Sequence, residues 1–151
     1  MSVIIGIDPG QKGGIAVIVG TELTVIPMPE TRKQVYDWLK AWKAMDVTCV
    51  IESVHTMPKQ GIASTGKFMK GYGEVLGICT ALGFRILEPT PQCWRKTVLV
   101  GTDKGKIASI QRCENLYPDV NLILPRCRKA HDGMAEAVLM AHFGLITEGK
   151  Y

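Results

Sequence analysis

Two acidic residues each follow a short run of β-branched and apolar residues. The run at 3–7 (VIIGI) leads to Asp8, and the run at 47–51 (VTCVI) leads to Glu52. Uninterrupted apolar runs of this length are typical of strands that are buried on both faces. If the two strands are parallel neighbours, their backbones lie ~4.8 Å apart and both carboxylates can reach one cation. The pattern therefore indicates a metal site.

A second acidic pair lies late in the chain, in the Ala- and Leu-rich segment 131–141. Asp132 and Glu136 are four residues apart, so on a helix both side chains project from the same face. Each acid also has an ordinary structural explanation. Asp8 in an Asp-Pro-Gly sequence suits a turn, Glu52 suits a solvated strand end, and Asp132 suits a helix N-cap. Taken together, four carboxylates favour a site for Mg²⁺ or Mn²⁺ over one for zinc, because these ions prefer hard oxygen ligands.

Three sequence motifs resemble a known family. They are IGIDPG at 5–10, IESV at 51–54 and the late Asp-x-x-x-Glu-Ala at 132–137. Together they resemble the RuvC-type Holliday junction resolvases of the ribonuclease-H-like superfamily, over essentially the whole chain. The resemblance implies an α/β fold, with a mixed five-stranded sheet and helices on both faces, in a single nuclease domain over 1–151.

The resemblance also implies roles for particular residues. Asp8, Glu52, Asp132 and Glu136 would be catalytic and would hold two Mg²⁺ (or Mn²⁺) ions, with His131 as a candidate substitute ligand. Lys96, Lys104 and Lys106 resemble the family's basic residues near the scissile phosphate, where one lysine stabilises developing negative charge. Lys104 and Lys106 are the catalytic candidates, and which of the three plays this part stays open. The implied activity is a structure-selective endodeoxyribonuclease that resolves four-way and other branched DNA by paired nicks. Because the late acids are four apart and the second is Glu, the chain looks like a phage or viral member.

Positive charge is concentrated in one part of the sequence. The segment 94–129 has eight bases and three acids, a net charge of +5, whereas the remainder has ten bases and eleven acids, a net charge of −1. A second segment, 55–73, has no acid. Solvated helix faces produce such patterns in many proteins, but beside four carboxylates they favour a polyanionic partner such as DNA. The candidate DNA-binding residues are His55, Lys59, Lys67, Lys70, Arg95, Lys96, Lys104, Lys106, Arg126, Arg128 and Lys129.

Composition favours one globular domain in a reducing cytoplasm, and the resemblance implies the cytoplasm of a bacterium or of a phage-infected host. The 151 residues are 46% hydrophobic and 21% charged, which is enough for a substantial core. The sequence has no apolar run of 18 residues and no basic-then-apolar leader, so we expect neither a membrane span nor a secretion signal. Five cysteines without C-x-x-C spacing favour reduced thiols over disulfides or zinc.

The periodicity of apolar residues predicts five strands and several helices. Strands are expected at 3–8, 13–19, 23–28, 47–52 and 85–88, with a hairpin at 20–22. Helices are expected at 31–45, 63–82, around Trp94, at 105–116 and at 132–146. The helix at 63–82 places Phe68, Tyr72, Val75, Cys79 and Leu82 on one apolar face, which we assign to the core. Its other side carries Gly66, Gly73 and Gly77, which predicts close approach by a second copy in a homodimer.

Two other functions are compatible with parts of the sequence. The chain could bind branched DNA without cutting it, in which case the carboxylates would be structural. The motif Ile-Gly-Ile-Asp-x-Gly also opens actin-like ATPases and sugar kinases, where it binds nucleotide phosphates. Those proteins need two such lobes, and 151 residues are too few to supply them.

Overall fold

The computed structural model describes residues 2–53, 61–100 and 105–149. The strands in these ranges are β1 (Ser2–Asp8), β2 (Gly14–Val19), β3 (Glu22–Pro27), β4 (Asp46–Ile51) and β5 (Arg85–Leu87). The helices are α1 (Arg32–Leu39), α2 (Ile62–Ala81), α3 (Pro91–Val98), α4 (Lys106–Leu116) and α5 (Asp132–Thr147), and a 3₁₀ turn at Lys40–Trp42 follows α1. None of the helices described has the length and apolar character needed to cross a bilayer.

The five strands form one mixed sheet in the order β3-β2-β1-β4-β5. The first three strands are antiparallel neighbours, whereas β1, β4 and β5 run parallel. Ile7 pairs with Ile51, so Asp8 and Glu52 are the next residues along two adjacent parallel strands. This order and these directions confirm the predicted ribonuclease-H-like sheet and the predicted adjacency of the two strand ends.

Helices cover both faces of the sheet because β1 alternates its side chains between two cores. Val3, Ile5 and Ile7 face a core that includes residues of α1 and α2. Ile4 faces a second core, which is built from residues of α3, α4 and α5. Both cores are apolar and largely inaccessible to water, which confirms the predicted three-layer arrangement.

Helix α5 lies directly on the backbone of β1 because glycines remove the side chains that would separate them. A Cβ built on Gly6 would lie 2.1 Å from the carbonyl oxygen of Ala137 in α5. A Cβ built on Gly133 would lie 2.0 Å from the carbonyl oxygen of Lys12, in the turn that follows β1. Both distances are far below van der Waals contact. The start of α5 is therefore held against the end of β1, where Asp8 emerges.

The structure corrects three details of the expected elements. The helix expected at 31–45 ends at Leu39, and the backbone then tightens into the 3₁₀ turn, in which the Lys43 N–H bonds to the Lys40 carbonyl. Glu52 follows β4 instead of ending it. Phe68 was expected in the core but is 40% exposed. The other four residues assigned to that face of α2 are buried, and the hairpin between β2 and β3 is confirmed with Gly20 at φ +61°.

Candidate functional site

Four carboxylates from three elements lie at the edge of the sheet where β1 and β4 end; we call Asp8, Glu52, Asp132 and Glu136 the acidic cluster. Their proximity appears in the pKa of Asp8, which rises from 3.8 to about 7. Burial of this carboxyl is the largest cause, and the negative charge of Glu136 is the second. Glu52 and Asp132 add smaller repulsion, while a hydrogen bond from the Gly10 N–H opposes the rise. The four acids therefore share one local electrostatic environment.

Glu52 is held by a buried indole. The Nε1–H of Trp94 donates to Oε2 of Glu52 over 2.5 Å, and the Trp94 side chain is fully buried under α5. Burial raises the pKa of Glu52, and the bond from Trp94 is the main influence that lowers it. Because α3 carries this tryptophan, the helix fixes the orientation of a carboxylate that β4 supplies.

Glu136 forms an ion pair with Arg95, the residue that follows Trp94 in α3. The Nη2 group of Arg95 donates to Oε1 of Glu136 over 2.6 Å, and the two side chains are only 26% and 19% exposed. The Arg95 guanidinium also lies over the Trp94 ring, 4.5 Å from its centroid. Two consecutive residues of α3 therefore hold two acids that come from different parts of the chain.

Asp132 and His131 lie at the start of α5. The ammonium group of Lys106 is 3.2 Å from Asp132 Oδ2, but Lys106 is 79% exposed, so water screens this pair. His131 is the N-cap of α5: its Nδ1 accepts from the Met134 N–H over 3.0 Å. In the neutral ring the proton then lies on Nε2, and neither nitrogen has a free lone pair. This cap argues against His131 as a metal ligand, although that role stays a prediction.

The acidic cluster suits a divalent ion in its chemistry but is not arranged as a finished metal site. Among the residues that the structure describes, no three His, Cys, Asp or Glu side chains are placed to hold one ion together. Glu52 and Glu136 are turned toward Trp94 and Arg95 instead. The donors are nevertheless all hard carboxylate oxygens, and a cation beside Asp8 would relieve the repulsion that raises its pKa. Mg²⁺ fits this donor set.

Comparisons with known proteins bear on the fold. No protein-family model matches the sequence, and no curated protein matches it. A structure of Thermus thermophilus RuvC superposes with a TM-score of 0.57 at 18% identity, covering 98% of this chain and 97% of the other. T. thermophilus RuvC in complex with a Holliday junction substrate superposes with a TM-score of 0.60 at 15% identity, covering 99% and 98%. The chain has the RuvC fold. At these identities the likeness concerns the fold alone.

The basic residues predicted to bind DNA are spread around this RuvC-like fold. Lys67 and Lys70 are exposed on the first half of α2, and Lys70 lies 3.9 Å from Glu74. Arg95 is partly buried against Glu136, whereas Lys96 on the same helix is exposed. In the segment between α4 and α5, the predicted residues Arg126, Arg128 and Lys129 are all exposed. His55, Lys59 and Lys104 lie outside the described residues. The structure thus gives Arg95 a partner within the protein that the sequence did not indicate.

Trp94 is a residue of this site that the sequence analysis missed. The sequence placed it only as a marker of a short helix. A buried indole N–H usually finds an acceptor, so a tryptophan in a predicted helix was a usable signal. The acceptor itself is 42 positions away in the sequence, and only the tertiary structure, in which α3 packs on α5, identifies it as Glu52.

Proposed function

We propose that this protein is a metal-dependent, structure-selective endodeoxyribonuclease that resolves Holliday junctions and other branched DNA by paired nicks. The observation that carries the proposal is the position of Asp8, a largely buried carboxyl at a strand end whose pKa is raised to about 7 beside three more acids. A folded chain keeps such repulsion where function requires it. The RuvC fold supports the same activity, because a RuvC structure has been solved with a Holliday junction substrate.

The acidic cluster would hold two Mg²⁺ (or Mn²⁺) ions. When bound, such ions lower the pKa of a water nucleophile and stabilise the departing oxygen of the phosphodiester. The protein's own contribution is to hold the carboxylates in place. Trp94 fixes one oxygen of Glu52, and Arg95 balances the charge of Glu136. The four residues of the cluster are therefore proposed as both metal ligands and catalytic residues.

Lys106 is proposed to position the scissile phosphate. It begins α4, its ammonium group is exposed, and it lies 3.2 Å from Asp132 of the acidic cluster. A DNA phosphate at the cluster can replace Asp132 as the partner of this exposed ammonium with little loss of free energy, because water already weakens the existing ion pair. Lys104 is proposed for the same task, although it lies outside the described residues.

A homodimer is proposed because a two-fold junction requires two nicks. Gly66, Gly73 and Gly77 lie on an exposed side of α2, and a Cβ added at any of them would meet nothing within 4 Å. Glycine within a helix costs about 1 kcal/mol relative to alanine, so its repeated use here favours close approach by a second backbone. Light scattering with and without junction DNA tests this, and a monomeric mass in both would refute it.

The cellular setting is proposed from the cysteines and from the spacing of the late acids. All five cysteines are free, and this suits the reducing cytoplasm of a bacterium or a phage-infected host. The four-residue spacing of Asp132 and Glu136 supports a phage or viral member.

Cleavage assays distinguish a nuclease from a protein that only binds branched DNA. Labelled four-way junction, Y-fork and linear duplex are incubated with the wild-type protein in Mg²⁺, Ca²⁺ or EDTA. We expect paired nicks in the junction with Mg²⁺ only. Asp8→Asn and Glu52→Gln should lose cleavage by at least 100-fold while still binding the junction in Ca²⁺, because each removes a proposed ligand. Asp119→Asn, at an exposed acid outside the cluster, is the matched control. Binding without cleavage by the wild type would refute the nuclease.

A further inference from the structure

A cavity of about 400 Å³ opens next to the acidic cluster. It lies between the turn after β1, the start of α1 and the first half of α2. Its lining includes Pro9, Gly10, Lys12, Arg32, Lys67 and Phe68. Pro9 and Gly10 directly follow Asp8, so the cavity and the acidic cluster share one wall. Its volume is in the range of sites that hold a small organic group.

The cavity is positively charged. Three of its lining residues are cationic and none is acidic. Arg32 is bonded to Glu74 of α2, which neutralises much of its charge and fixes its position. Lys12 and Lys67 are exposed, and no carboxylate of the described residues forms an ion pair with either. Two ammonium groups therefore remain for an anionic ligand.

Phe68 gives the cavity an aromatic surface. The ring lines the cavity and is 40% exposed, although its neighbours one turn further along α2 are buried. Aromatic rings beside lysines are the usual platform for unpaired nucleobases, because every base has a face that can stack. An inorganic anion would use the lysines but not the ring. The combination therefore favours a nucleotide.

We propose that this cavity receives one unpaired nucleotide of the branched substrate, with its base against Phe68 and its phosphate at Lys12 and Lys67. The proposal rests on the nuclease function proposed above and adds a basis for its selectivity. A nucleotide at a branch point is already partly unstacked, so moving it into the cavity costs less than extracting a base from a duplex. Because the cavity adjoins Asp8, the bound nucleotide would bring a neighbouring phosphodiester to the acidic cluster.

The test measures the affinity of a fluorescein-labelled Y-fork by anisotropy in Ca²⁺. Phe68→Ala should weaken binding by about 10-fold, within the range known for loss of one stacked base, and Phe68→Tyr should restore it. Lys67→Ala should weaken binding severalfold and lower its salt dependence. Ile62→Ala and Lys43→Ala are the matched controls, since both residues are exposed and neither lines the cavity. Circular dichroism confirms that each variant is folded.

A second arm identifies the base itself. Abasic sites are placed one at a time in the unpaired nucleotides next to the branch point. One position should weaken binding to the wild type about 10-fold and have no further effect on Phe68→Ala, because the same contact is removed twice. If the variant and the wild type respond alike at every position, or if Ile62→Ala loses as much as Phe68→Ala, the cavity does not hold a base. If the wild type neither binds nor cuts branched DNA, the nuclease function itself fails.

Discussion

Asp8→Asn should stabilise the metal-free protein at alkaline pH. The substitution keeps the size of the side chain and removes its charge. The pKa of Asp8 is about 7 in the folded chain, against an ordinary value of 3.8 that applies when the chain is unfolded. Between these values the folded state binds more protons than the unfolded state, so stability falls as the pH rises. Burial and the charge of Glu136 are the main causes.

The size of the effect follows from the two pKa values. At pH 8 the raised pKa of Asp8 lowers the free energy of unfolding by up to ~4 kcal/mol. At pH 5, where the folded carboxyl is protonated, it lowers that free energy by less than half as much. Because Asp8 is partly accessible to water, which weakens repulsion, a gain of about 2–4 kcal/mol is expected for the variant at pH 8. The difference between the two pH values should be about 2 kcal/mol, and it does not depend on how well asparagine packs.

Urea unfolding in EDTA at pH 5 and pH 8 measures both quantities. Asp119→Asn is the control, because its exposed carboxylate should give nearly the same small change at both pH values. A variant that is no more stable than the wild type at pH 8, or whose gain is equal at the two pH values, would show that Asp8 is not repelled by its neighbours. The electrostatic argument for a cation site would then fail.

Three further predictions concern the same site. Mg²⁺ should raise the thermal midpoint of the wild-type protein in proportion to the logarithm of the Mg²⁺ concentration, and it should leave the midpoint of Asp8→Asn nearly unchanged. Scanning calorimetry measures both midpoints. Equal shifts in the two proteins would show that the ion binds elsewhere. Gly133→Ala should lower the free energy of unfolding, measured in urea, by at least ~2 kcal/mol, because the new Cβ overlaps the Lys12 carbonyl oxygen. Gly73→Ala is the control and should not destabilise the monomer, because its Cβ would have no atom within 4 Å. Trp94→Phe should reduce Mg²⁺-dependent cleavage by about 10–100-fold with junction binding in Ca²⁺ retained, because it removes the donor to Glu52. Trp42→Phe is its control, since the buried Trp42 indole N–H has no partner among the described residues, and equal losses in both variants would count against a role for Trp94.

Local sequence was enough to predict the strands and most of the helices. The runs that form β1 and β4 are short, β-branched and mostly apolar, a pattern typical of strands buried on both faces. The register between these two strands confirmed the parallel pairing. The spacing of Asp132 and Glu136 likewise depends only on the pitch of a helix. The end of α1 at Leu39 was not predictable, because the same apolar spacing continues into the 3₁₀ turn.

The tertiary structure decided what surrounds each acid. Trp94 reaches Glu52, and Arg95 reaches Glu136, across about 40 residues of sequence in each case, and no local pattern encodes such contacts. The exposure of Phe68 was also decided by packing, since Tyr72, one turn further along α2, is buried. Sequence by itself therefore determined which residues could do chemistry and which elements carry them. Only packing determined their partners, their burial and the raised pKa of Asp8, because these depend on distances between elements that are remote along the chain.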